Sequence, residues 1–208
     1  MTKSSAEPSF RVGIICGSQR KPRVGDQITD FVRDTIKQHL DTTKNTSVTF
    51  DYIDIAALDL PFFDEPGIPS QIKSSDDYAH EHTRAWSRRV SSLDAFVFVT
   101  PQYNWGIPAG LKNAIDYLFN EWKGKPAVIV SYGGHGGDKA AAALKICLAG
   151  GIDMRVGDDM IVNLSFQDRK MLVGATKGLD LGLDVNVDGG IWDGEKGKIV
   201  RAWEEMAG

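Results

Sequence analysis

Cysteine is scarce in this chain of 208 residues: there are two, Cys16 and Cys147. Both sit in apolar company, and no metal-ligand spacing links them to the four histidines, so buried reduced thiols are expected rather than a thiolate metal site. Long hydrophobic runs are missing too, since none approaches the roughly 20 residues that cross a bilayer. Nor is there a basic block. The net charge is −4, and no cluster of Lys and Arg is arranged to follow phosphates along a nucleic acid, which argues against nucleic acid and anionic membranes as partners. The opening MTKSSAEPSF has neither a signal-peptide core nor an Arg-rich amphipathic pattern, so residues 1–9 read as a disordered leader and the compartment as the cytoplasm. Two nucleotide signatures are absent: no G-x-G-x-x-G opens a helix, and no G-x-x-x-x-G-K-[ST] exists.

What is present alternates. Phe10 to Cys16, Ser47 to Asp54, Ala95 to Thr100 and Pro126 to Tyr132 are strand candidates, with a weaker one inside Met154 to Asn163. Helical periods separate them. From Asp26, a plausible N-cap, Ile28, Phe31, Val32, Ile36 and Leu40 share one face. Tyr78 to Leu93 turns Trp86 and Val90 inward, and Pro108 opens a helix with the stripe Leu111, Ala114, Ile115, Leu118 and Phe119. Asp138 to Ala149 and Lys196 to Met206 are the last two helices. Strands apolar on both faces and separated by helices make a parallel sheet covered on both sides. The expected fold is a single α/β domain over residues 10–208: a doubly wound sheet of five strands in the order 2-1-3-4-5. Only Phe166 to Gly194, rich in Gly and Asp, does not fit the alternation.

Ligands of such sheets bind outside the carboxyl ends of the strands, at the switch point. Three loops there are unusual, and they follow the first, third and fourth strands, which that order makes neighbours. The first, Gly17 to Gly25, offers Ser18, backbone amides and the cations Arg20, Lys21 and Arg23 just before a helix N-terminus, a ready anion site. Without a dinucleotide fingerprint, a monophosphate is the expected anion. The second, TPQYNWGIP, sets Tyr103, Asn104 and Trp105 between two prolines, suited to the polar edge and faces of a flat ring. The third, Ser131 to Gly137, brings backbone N–H groups close, as glycine permits; its His135 reads as an exposed loop histidine. A monophosphate pocket beside a planar heteroaromatic ring, on this sheet, describes FMN on a flavodoxin-like fold.

GSQRKPR, TPQYNWGIPAGLKNAIDYLFNEWKGKP and VSYGG resemble the NADPH-dependent FMN reductase family, which includes quinone, azo-dye and chromate reductases. The resemblance spans about Phe10 to Asn163. It implies that Ser18 and Arg20 hold the FMN phosphate and that Pro101, Gln102, Tyr103 and Asn104 line the flavin, with Trp105 continuing the wall. It also implies that Ser131, Tyr132 and Gly133 form the third flavin loop. The implied activity is NAD(P)H oxidation by a ping-pong hydride transfer to a small acceptor: a quinone, free flavin, azo dye or metal oxyanion. No protein nucleophile or base is needed. Members are homodimers or homotetramers with FMN near the subunit interface, which draws attention to Leu111–Trp122. NADPH is the expected donor, with Lys21 or Arg23 available to a 2′-phosphate. Two departures stand out: Pro22-Arg23 extends the first loop, and Trp105 replaces a smaller residue. A flavodoxin-type electron carrier or flavin-based redox sensor is the alternative, disfavoured by the modest charge and basic first loop.

One motif stands apart. DVNVDGGIWDGE, Asp184 to Glu195, matches an EF-hand calcium loop position by position, but GATKGLDLGLD before it is a poor entering helix. A polar Asp-Gly turn is the expected reading, with no metal.

Overall fold

The computed structural model describes residues 9–45 and 47–208; residues 1–8, most of the expected leader, lie outside them. Five strands form one parallel sheet: β1 (Phe10–Cys16), β2 (Val48–Asp54), β3 (Ala95–Pro101), β4 (Ala127–Gly133) and β5 (Ile161–Ser165). Their order is β2-β1-β3-β4-β5, with Ile14 opposite Tyr52 and Val97, and Val99 opposite Val130. The order is the one expected.

β3 is buried at every position. Alternation along it sends Ala95, Val97 and Val99 into one core and Phe96 and Phe98 into the other. The first core is closed by α1 (Gly25–Thr42) and α7 (Asp193–Ala207), the second by α3 (Glu81–Ser91), α4 (Ala109–Asp116) and α5 (Asp138–Lys145). On α1 the expected stripe Ile28, Phe31, Val32, Ile36 and Leu40 is buried. A short α2 (Ile55–Leu58) follows β2.

Element ends differ from expectation for identifiable reasons. α1 begins at Gly25, so Asp26 lies in the first turn rather than at the cap. α3 starts at Glu81 because the buried Glu65 carboxylate accepts the N–H groups of Ala79 and His80 at 2.9 and 3.1 Å, holding the chain extended before it. α4 ends at Asp116, well short of Trp122, and the apolar stripe of Leu111–Trp122 is spent on the protein's own core. α5 widens into a π-helical turn over Ile146–Gly151.

The segment that broke the alternation folds as α6 (Arg169–Thr176), a loop, and the start of α7. Trp192 fastens it. Its ring is 1% exposed, lies 5.9 Å from Phe31 and 6.2 Å from Phe166, and its Nε1–H donates to the Ser165 carbonyl at 2.7 Å. The EF-like stretch is therefore a turn into α7. Asp184 accepts the Asn186 N–H, and Asp193 accepts the Gly189 N–H and pairs with Lys196. Among the described residues no group of three or more His, Cys, Asp or Glu is placed to hold a metal.

Trp192→Ala removes that fastening. The expected loss is about 3–5 kcal/mol of unfolding free energy, read from urea denaturation, and a change under 1 kcal/mol would show that the segment is held elsewhere.

Candidate functional site

The loops after β1, β3 and β4 meet at the carboxyl edge of the sheet around a cleft of about 180 Å³. Ser18, Arg20, Arg23, Pro101, Gln102, Tyr103, Tyr132 and Gly133 line it, all named from sequence; Pro22, Val24, Phe166, Ala175 and Thr176 line it as well.

The first loop is fixed from two sides. The Arg23 guanidinium forks across Asp54 at the end of β2, Nη1 to Oδ1 at 2.9 Å and Nη2 to Oδ2 at 2.5 Å, and Nη1 also donates to the Ser18 carbonyl at 2.6 Å. Both side chains are 19% exposed. The hydrogen bonds from Arg23 hold the Asp54 carboxyl below the usual carboxylate range. Arg23, expected among the anion ligands, thus spends its fork on Asp54 and acts first as a brace for the loop. Ser18 is buried and its hydroxyl lies 2.7 Å from the Tyr103 hydroxyl. Arg20 stacks over the Tyr103 ring, 3.7 Å from its centroid.

The second loop is a tight turn. Tyr103 N–H donates to the Gly106 carbonyl at 3.0 Å and Gly106 N–H returns to Tyr103 at 2.9 Å. Asn104 and Trp105 between them are both left-handed, φ 49° and 67°, the pattern of a type I′ turn. Asn104 and Trp105, expected along the ring, are exposed and do not line the ligand-free cleft; Trp105 is 75% exposed beneath Lys139. The Gln102 side-chain oxygen accepts from Lys139 and Ala140 N–H groups, anchoring the start of α5.

In the third loop, Ser131 is fully buried. Its hydroxyl bonds the Gly136 carbonyl at 2.8 Å and the Asn163 side-chain amide at 2.6 Å. It shapes the loop from behind instead of lining the cleft. Gly136 and Gly137, at φ 78° and 79°, are the residues that allow this reversal. Burial keeps Tyr132 protonated well above the usual phenol range, so it remains a donor. His135 is exposed.

The five lining residues that sequence missed belong to two places. Pro22 and Val24 flank cations that were noticed. Phe166, Ala175 and Thr176 lie on and before α6, where the Gly/Asp-rich pattern gave no signal. Phe166 N–H donates to the Gly133 carbonyl at 3.0 Å, and its ring lies 6.3 Å from Tyr132.

The donor set suits an anion. α1 has no side-chain cap at its N-terminus, so its first N–H groups face the cleft end of the loop with the positive pole of an 18-residue helix. A Cβ on Gly25 would come within 2.7 Å of the Tyr132 hydroxyl and 2.8 Å of Ser18 Cβ, so only glycine lets these donors converge. Arg20 forms no ion pair among the described residues. A phosphate is the anion these groups fit.

The family model for NADPH-dependent FMN reductases matches residues 10–168. The chain belongs to that family. It is 43% identical to the NAD(P)H-dependent FMN reductase LOT6 of Saccharomyces cerevisiae over 78% of this chain and 93% of that one. It is 30% identical to a probable NADPH:quinone oxidoreductase of Oryza sativa subsp. japonica over 64% of each. The fold is also that of FerB, a flavoenzyme NAD(P)H:(acceptor) oxidoreductase from Paracoccus denitrificans, with a TM-score of 0.60 at 22% identity over 94% of this chain and 93% of that one. This FMN reductase is an NAD(P)H-dependent oxidoreductase with FMN as its cofactor.

Two outcomes follow from the site's geometry. Asp54→Asn leaves Arg23 facing a neutral amide and is expected to cost roughly 2–3 kcal/mol at neutral pH. Because the folded carboxyl is depressed below its unfolded value of about 3.9, its contribution is complete above that value and is lost as pH falls through the folded one. Urea midpoints below about pH 4 therefore fall less steeply in the variant than in the parent. Trp105→Gly relieves a bulky residue from a left-handed conformation and is expected to raise stability by about 1 kcal/mol; a loss would mean that the indole is held by contacts worth more than the strain.

Proposed function

We propose that the cleft between the three loops holds FMN, its phosphate at Ser18, Arg20 and the N-terminus of α1, and its ring beside Pro101, Gln102, Tyr103, Tyr132 and Gly133. The observation that carries this reading is the convergence of the Ser18 hydroxyl, Arg20 without a carboxylate partner and the uncapped start of α1 on one short loop, next to aromatic and backbone groups from two neighbouring strands. Bound FMN supplies two-electron exchange with a nicotinamide and an acceptor, which take turns at one open face. The chain's own part is binding and orientation. Arg23 and Asp54 hold the phosphate loop open to its ligand, Tyr132 offers a neutral O–H, and Phe166 with α6 shields the cleft from water.

A cleft of about 180 Å³ is smaller than common ligand pockets of roughly 300–1,000 Å³. A phosphate held at Ser18 would take the place of the Ser18–Tyr103 hydroxyl contact.

The acceptors are small and planar, quinones first, which the rice relative's name supports. The protein acts in the cytoplasm; among the described residues no helix is long and apolar enough to cross a membrane. It works as a homodimer or homotetramer. Phe62, 87% exposed on a loop that Asn113 ties to α4 through Pro61 and Phe63, is an aromatic suited to a subunit contact.

The deciding measurement is the visible spectrum of FMN-loaded protein on anaerobic addition of NADPH, then a quinone. Two flavin bands that bleach and return are expected, and bands that persist with both nicotinamides would sink the reductase reading. Ser18→Ala should weaken FMN binding roughly tenfold, the worth of one hydrogen bond to a charged oxygen, as followed by quenching of flavin fluorescence.

A further inference from the structure

α6 has two sides. Ala175 and Thr176 face the cofactor cleft, and Leu172 reaches the third loop, where a Cβ on Gly134 would lie 3.8 Å from it. The other side, with the loop that follows, walls a separate groove of about 850 Å³. Its floor is apolar, from Met171, Val173, Leu179 and Leu181, with Val173 and Leu179 left exposed. Arg169, Lys170 and Lys177 stand at its rim, all exposed, and among the described residues none of them forms an ion pair. Two carboxylates share the rim, but both are turned to backbone: Asp168 accepts the Met171 N–H at 2.7 Å and Asp180 the Gly182 N–H at 2.8 Å. Arg169 and Lys170 also sit in the first turn of α6, where the helix dipole opposes positive charge. The loop is held to α1 by Gln27, whose amide bonds the Leu179 carbonyl and the Leu181 N–H at 3.1 and 2.9 Å.

We propose that this groove receives the adenosine half of NADPH, with Arg169, Lys170 and Lys177 around the 2′-phosphate, and that these cations set the preference for NADPH over NADH. The assignment rests on the reading of the adjacent cleft as the FMN site. A dinucleotide that brings its nicotinamide to that cleft lays its other half on the cleft's surroundings, and α6 is the wall shared by both cavities. The chemistry matches part by part. Adenine is flat and suits the apolar floor, while a phosphomonoester dianion suits three cations with no carboxylate partner. Of the cations nearer the cleft, Arg23 is engaged with Asp54 and the Ser18 carbonyl and Arg20 is assigned to the FMN phosphate, which leaves the exposed Lys21 as the competing cation.

The test uses FMN-loaded protein, with Lys170→Glu/Lys177→Glu and the milder Lys170→Gln/Lys177→Gln beside the parent, and Lys21→Glu as the competing site. Calorimetry compares adenosine 2′,5′-bisphosphate with 5′-ADP as probes, and steady-state turnover with a benzoquinone gives kcat/KM for NADPH and NADH. The parent is expected to bind the bisphosphate at least about tenfold tighter than 5′-ADP. The charge-reversed pair should lose roughly 10–100-fold in kcat/KM for NADPH, with NADH unchanged within about twofold, and the Gln pair should fall between. Equal loss for both nicotinamides, no loss for NADPH, or loss of discrimination in Lys21→Glu alone would overturn the proposal. A parent whose flavin bleaches equally with NADPH and NADH and binds both probes alike also overturns it, while leaving the FMN reading intact. A parent that neither nicotinamide bleaches overturns that reading first.

Discussion

A strand buried at all seven of its positions, as β3 is, has no face to give to water. It can lie only inside a sheet that is covered on both sides, and in a parallel sheet that cover must come from the helices that return the chain. From this constraint most of the molecule follows. α1 and α7 take one face and α3, α4 and α5 the other. Every crossover starts at a carboxyl end, so the loops after β1, β3 and β4 emerge side by side. The cleft is where the sheet runs out of strand, and its lining is what those three loops carry.

Charge at the cleft is arranged by the same geometry. β1 and β2 end together, with Cys16 opposite Asp54, which puts the Asp54 carboxylate beside a loop holding three cations. One of them, Arg23, is neutralised by that carboxylate and spends a further donor on the Ser18 carbonyl. Arg20 stays without a carboxylate partner and rests on the Tyr103 ring. The loop therefore combines a rigid brace with a cation still able to meet an anion. A loop of free cations would repel itself, and a fully paired one would bind nothing.

The strands and most core residues were legible because both rest on local pattern, continuous apolar runs for the strands and a 3.6-residue period for the helices, and right-handed crossovers then leave few orders for the sheet. Topology pointed to the loops that carry Ser18, Arg20, Arg23 and Tyr103, while Pro101, Gln102, Tyr132 and Gly133 were singled out through the family resemblance. The residues that lie off the ligand-free cleft share a feature, which is that side-chain direction in a turn depends on dihedral angles the letters do not signal. Asn-Trp is a poor advertisement for a two-residue left-handed turn, for which Asn-Gly is the usual pair, so Asn104 and Trp105 were expected along the ring and instead stand at an exposed tip. Ser131 was expected in the cleft, but it continues the alternation of β4 and turns inward to Gly136 and Asn163. α6 was invisible because Gly174, Gly178 and Gly182 interrupt its neighbourhood, and because its stability is borrowed from Trp192, more than a dozen residues on.

That borrowing explains how a weak segment can serve a strong site. α6 has eight residues, too few to be stable alone. It is retained by contacts at its margins: Phe166 on Tyr132 and Trp192, Gly178 packed against Pro22 so closely that a Cβ there would lie 2.6 Å from the ring, and the Gln27 amide on the loop beyond. Within α6 itself, Met171 and Ala175 are buried in the first core. None of the strand pairings passes through α6, so its attachment is separate from that of the sheet beneath it. The three loops are held to the sheet by backbone bonds and by the side chains of Arg23, Asp54 and Ser131, and the segment carrying α6 by buried side chains together with the Phe166 N–H bond to Gly133.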